Sequence, residues 1–112
     1  MKIVKDLIAL DELKQMASAS FGDLVKAVVD VDREVIAFDA ELHSDLEALL
    51  LEDGSRQNDL WGINLYPDMQ GEDFIEFDSV INIRPTQGNR SRGVDNLDIR
   101  NKIEQIVMKR VQ

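Results

Sequence analysis

Four stretches of this chain alternate apolar and polar residues with a period of two, and they constrain its fold more than any other feature. Val25, Ala27 and Val29 form one series, and Ile36, Phe38, Ala40 and Leu42 form a second. Trp61, Ile63 and Leu65 form a third. The fourth places Ile75, Phe77, Ile81 and Ile83 between Glu76, Asp78, Asn82 and Arg84. Successive side chains on a strand point to opposite faces, so each series reads as a strand with one dry face.

The first two series read as a hairpin over Leu24–Leu42. Pairing Val31 with Glu34 around Asp32-Arg33 sets Val29 opposite Ile36 and Ala27 opposite Phe38. Both apolar sets then share one side, as a buried face requires, and Lys26 faces Asp39 on the other. Asp-Arg suits a two-residue turn poorly, because a type I′ turn wants positive φ at both central positions. A longer loop with even-numbered slippage therefore stays open. The Leu60–Tyr66 strand pairs antiparallel with the fourth series through the turn-rich segment Pro67–Asp73. That pairing keeps Trp61, Ile63 and Leu65 with Ile75 and Phe77, and Asn64 with Glu76 and Asp78. Pro85 ends the fourth strand, since it has no N–H for a ladder.

Helical spacing accounts for the remaining apolar residues. Leu10, Leu13, Met16 and Ala17 predict a helix over Asp11–Ala19, with Gly22 just beyond it. Ser44 and Glu47 have capping-box spacing, and Leu46, Leu49 and Leu50 share a helix face, predicting a helix over Ser44–Asp53. A strand through Leu49–Leu51 competes with it. Ile99, Ile103, Ile106 and Val107 form the stripe of a last helix over Leu97–Val111, capped by Asp95 or Asn96. Lys109 and Arg110 in its last turn suit the helix dipole. A short first strand falls around Ile3–Val4. Hairpins sharing one dry face, with amphipathic helices to cover it, give an α+β two-layer sandwich. The expected sheet is mainly antiparallel, with four to five strands. About three helices would pack on one face and leave the other wet.

At 112 residues the chain is long enough for one domain with its own core. Cysteine is absent, which excludes disulfides and thiolate metal sites. The N-terminal apolar run is too short for a signal peptide, and no stretch could span a membrane, so the expected location is cytoplasmic. The net charge of −9 argues against non-specific nucleic-acid binding, because polyanions repel an acidic chain.

Against that charge, Ser79–Val94 contains no Asp or Glu. Within it lies the loop Pro85–Gly93, where Arg90 and Arg92 sit between Gly88 and Gly93 just before the last helix. Converging loop amides, forked guanidinium groups and a helix start all suit an anion. Arg84, Gln87, Asn89, Arg90, Ser91 and Arg92 are the candidate ligand-binding residues. Asp95 and Asp98 stand at the same helix start and oppose an anion, so pairing of the arginines with internal carboxylates is the competing role.

Two further constellations carry weaker signals. Asp39, Glu41 and His43 alternate, and an extended backbone would project them together, with Asp45 or Glu47 nearby. One imidazole beside carboxylates could serve acid–base chemistry, which makes His43 and Glu41 the candidate catalytic pair. No metal spacing is matched, and no cofactor is expected. The competing role is a histidine packed at a helix entry. The wet sheet face, with Asn64, Glu76, Asp78 and Asn82, could meet a ligand or a partner, or simply solvent.

The segments FGDLVKAVVD, ELHSDLEALLLEDGS, DLWGINLYP, SVINIRP and GNRSRG span nearly the whole chain. Over them the sequence resembles a family of short prokaryotic proteins catalogued as a domain of unknown function. The resemblance implies a single compact domain and supplies neither a reaction nor functional residues.

Three functions remain in play. The leading one is a small binding domain that recognises an anionic group, such as a phosphate or carboxylate, through the arginine loop. A metal-dependent or acid–base hydrolase at the His43 corner is the second. The third is a self-association module in which Arg90 and Arg92 reach an acidic patch on another subunit.

Overall fold

The computed structural model describes residues 1–112 and shows an α+β fold. Its strands are β1 (Lys2–Val4), β2 (Val25–Asp30), β3 (Val35–Phe38), β4 (Leu60–Leu65) and β5 (Ile75–Glu76). They form one antiparallel sheet in the order β1-β3-β2-β4-β5. The helices are α1 (Leu10–Ala19), α2 (His43–Glu52) and α3 (Leu97–Arg110). None of them is long and apolar enough to cross a membrane.

The hairpin adopts the expected register, with Val29 opposite Ile36 and Ala27 opposite Phe38. Its turn is a four-residue loop, Val31–Glu34, closed by Glu34 at φ 57°. Asp30 stabilises this turn from beneath. Its Oδ1 accepts from the amides of Asp32 and Arg33, both at 2.9 Å, and its Oδ2 accepts from the Ser55 hydroxyl at 2.6 Å. Those bonds satisfy a fully buried carboxylate. At the far end β3 stops at Phe38, because Asp39 turns to φ 76°, so Ala40 and Leu42 lie outside the strand.

On one sheet face, Ala27, Val29, Ile36, Phe38, Trp61, Ile63 and Leu65 pack with Leu13 and Ala17 of α1 and Ile103, Ile106 and Val107 of α3. The opposite face is not wet along its length, which corrects the two-layer expectation. Val28, Val35, Ala37 and Leu60 form a second core with Leu46 and Leu50 of α2. The reason is in the strands themselves: β2 and β3 carry apolar residues at both phases, so both faces require cover. Burying an aliphatic side chain of this size contributes about 1.5–3 kcal/mol, which makes α2 the stable solution for that face. Helix α2 begins at His43 after an extended Leu42, and no side chain caps it. Ser44 therefore lies inside the helix instead of forming the expected capping box. Asn96 caps α3 as expected, accepting from the Ile99 amide at 3.0 Å.

The largest departure is the fourth strand. Only Ile75–Glu76 pair with β4, Glu76 opposite Asn64 and Ile75 opposite Leu65. The chain then leaves the ladder, and Val80–Asn82 form a 3₁₀ turn started by Ser79, whose Oγ accepts from the Ile81 amide. Side chains replace the missing strand. Gly62 N–H donates to Asn82 Oδ1 at 2.8 Å, and Asn82 Nδ2 donates back to Gly62 O at 3.0 Å. Further along, the Arg84 guanidinium donates to the carbonyls of Leu60 and Gln57. The sheet edge beside β4 is therefore completed by an amide and a guanidinium, groups able to satisfy buried backbone as a strand would.

Candidate functional site

Three regions bear on function: the arginine loop, the His43 corner, and a groove beside α3.

The loop is tied together from inside. Asn89, almost wholly buried, donates through Nδ2 to the carbonyls of Asn82 at 2.7 Å, Ser91 at 3.2 Å and Gly93 at 2.9 Å. Its Oδ1 accepts from the Asp95 amide at 2.8 Å. Arg84 and Asn89 exchange backbone hydrogen bonds across a 3₁₀ turn, and Gly88 closes that turn in the left-handed conformation at φ 79°. Gln87 donates to the Asn58 carbonyl at 3.1 Å, latching the turn to the entry of β4.

The donors proposed for an anion are largely engaged. Asp95 accepts from the Arg90 amide at 3.0 Å and from the Ser91 hydroxyl at 2.6 Å. These bonds, the Ser91 hydroxyl foremost, hold its pKa below the usual carboxylate range. Arg92 pairs with Asp78 at 2.5 Å, and Arg84 lies 4.2 Å from the Trp61 ring centre while capping its two carbonyls. Arg90, exposed like Arg92, is the one of the three whose side chain makes no ion pair or side-chain hydrogen bond. A carboxylate of the chain itself thus occupies the position an anion would take, held by the Arg90 amide and the Ser91 hydroxyl.

His43 sits on the α2 side of the sheet, only 7% exposed, with Nε2 at 2.8 Å from the Ile63 carbonyl. A carbonyl can only accept, so the ring carries its proton on Nε2. Burial pushes its pKa down, and the carbonyl contact opposes this in part. Glu41 is exposed at the turn before α2 and makes no hydrogen bond to the ring. The polar groups beside His43 are instead Asn64, Lys26 and Asp78. Asn64 donates to Glu76 Oε1 at 2.8 Å, and the Tyr66 hydroxyl reaches the same oxygen at 3.2 Å. Burial and Glu76 together raise the Tyr66 pKa. Of the four residues assigned to the wet sheet face, Asn64, Glu76 and Asp78 gather at this corner, while Asn82 is buried against Gly62. No three His, Asp or Glu side chains converge on one point.

A further concavity lies elsewhere. A groove of about 960 Å³ runs between α3 and the Met69–Phe77 segment, on the sheet face opposite His43. Phe74, Ile75, Phe77, Met69, Met108 and Val111 supply its apolar surface. Arg100, Glu104 and Met108 recur every four residues along α3 and form one wall. Sequence reasoning missed this groove. Its available signal was Met108, an apolar residue outside the Ile99–Val107 stripe, together with Met69 and Phe74 in an otherwise polar turn.

Over residues 2–110 the chain matches the family described as "Protein of unknown function (DUF5674)". The chain belongs to this family. No curated protein and no solved structure matches it. The DUF5674 match takes in all five strands and all three helices.

Proposed function

We propose that this DUF5674 protein acts by binding, and that its ligand site is the groove between α3 and Met69–Phe77. The observation that supports the reading is exposed apolar surface gathered in one concavity: Met108 is 68% exposed and Met69 52% exposed, on either side of Phe74 and Phe77. Apolar surface of this kind gains free energy when a ligand covers it. Methionine side chains at its rim adapt to different partner shapes. A pre-formed apolar concavity with a few charged groups is also the usual form of a binding site. The engaged arginines favour this groove over the loop as the place where a ligand is held. In the loop, an incoming anion has first to displace Asp95.

Nile red, an uncharged apolar dye, tests the groove directly. Its emission should rise and shift to the blue with the wild-type chain. Met108→Glu, an exposed change that leaves the core alone, should remove most of that signal. Equal dye emission from both proteins, each with the same circular dichroism, rejects the groove as the site.

A further inference from the structure

We propose that the groove's occupant is a basic amphipathic segment of a partner protein. The inference rests on the groove reading above and adds the chemistry of the partner. Three carboxylates line the groove, those of Glu72, Asp73 and Glu104, and none is in an ion pair. Some carboxylates elsewhere do hold cations, Glu34 with Lys102 and Lys109, Asp53 with Lys5 and Arg33, and Asp78 with Arg92, so the groove's three are left for an incoming cation. The one cation on the groove lining is Arg100, whose guanidinium lies over the Phe77 ring at 4.5 Å and pairs with no carboxylate.

Three negative groups against one positive group leave the groove acidic, within a chain of net charge −9. A ligand carrying Lys or Arg is drawn in, and one carrying carboxylates is repelled. Shape supplies the other half of the argument. Glu72, Asp73, Arg100, Glu104 and Met108 are all exposed, so a bound ligand keeps one side in water. A small apolar molecule covers the floor but leaves the rim carboxylates unmet. A segment with an apolar stripe and basic flanks covers the floor with one face and meets the rim carboxylates with its edges.

The test uses two peptides of roughly 18 residues, about five helical turns, with leucines at identical helical spacing. One carries Lys and the other Glu at the remaining positions. Each is titrated into the full ¹⁵N-labelled chain at roughly 0.05 and 0.3 M salt, where screening differs by more than twofold in length. The Lys peptide should shift amides of Met69–Phe77 and Arg100–Gln112 and weaken with salt, and the Glu peptide should leave them unmoved. Combined Glu72→Gln, Asp73→Asn and Glu104→Gln substitutions should weaken the Lys peptide about tenfold, a size set by exposed ion pairs. Arg100→Gln should tighten it. Shifts scattered over the acidic surface, equal binding of the two peptides, or no peptide binding overturns the inference. If Nile red still reports the groove in that case, the groove reading survives and only the basic partner is lost; if the dye fails as well, both fall.

Discussion

The Asn82 side chain is paired to the Gly62 backbone as a neighbouring strand would be, accepting from its N–H at 2.8 Å and donating to its carbonyl at 3.0 Å. The same Nδ2 reaches the Arg92 carbonyl at 3.0 Å, so one amide joins β4, the 3₁₀ turn and the arginine loop. Asn82→Ala should leave both Gly62 groups without their partner and destabilise the fold by about 2–4 kcal/mol. Urea unfolding measures this, and a loss below about 1 kcal/mol would show that solvent or a shifted chain replaces the amide.

Gly62 is fixed by what stands over it. A Cβ there would meet Ser79 Cβ and Oγ at 2.6 Å and His43 Cδ2 at 3.2 Å. Gly62→Ala should therefore cost about 1–3 kcal/mol through overpacking. Adding Ser79→Gly to that variant should recover part of the loss, because the nearest clash goes with the side chain. A double-mutant cycle reads the coupling, and strict additivity would refute the contact.

His43 gives the fold a pH dependence of defined sign. Its pKa is lowered in the folded state, mainly by burial, so the unfolded chain takes up the proton first. The stability tied to neutral His43 is complete above the unfolded value of about 6.5 and declines as pH falls from there toward the folded pKa. No other histidine is present to obscure this window. His43→Gln should flatten melting temperature against pH in it, since glutamine keeps an N–H for the Ile63 carbonyl without titrating there. A variant profile as steep as the wild type would assign the effect to other groups.

Asp95 governs whether the loop can take an anion. With its carboxylate on the Arg90 amide and the Ser91 hydroxyl, phosphate should not shift the Gly88–Gly93 amides of the wild type. In Asp95→Ala those donors are released beside the exposed Arg90 side chain. Phosphate should then move the Arg90 and Ser91 amide signals and slow their exchange. Phosphate shifts already present in the wild-type loop would count against the internal clasp.

Much of the fold was legible in the sequence, and the residues show why. Val25, Ala27 and Val29 set against Ile36 and Phe38 specify both the strands and their register, because a one-residue slip would expose every apolar side chain. The Ile103, Ile106 and Val107 stripe specifies α3 in the same local way. Val28, Val35 and Ala37 at the opposite phase already carried the need for a second layer, because they make the other face of the hairpin apolar as well. The fourth series misled for a different reason. Ile81 and Ile83 keep the strand period, but the partner groups on β4 are taken by the Asn82 and Arg84 side chains, a substitution that leaves no local trace.

The candidate site divides along the same line. Sequence by itself determined that an acid-free, glycine-flanked arginine segment enters the last helix, and that His43 begins the α2 region among carboxylates. Tertiary structure alone decided what those groups face: Asp95 folded back on the loop, Arg84 on carbonyls of the β4 entry, and the His43 ring on Ile63 rather than Glu41. It also made the groove, by setting α3 beside Met69–Phe77. Periodicity reports which side of one element is buried, a property of neighbours a few residues apart. Hydrogen-bond partners and concave surfaces arise between segments distant in the chain, where only the packed fold sets the distances.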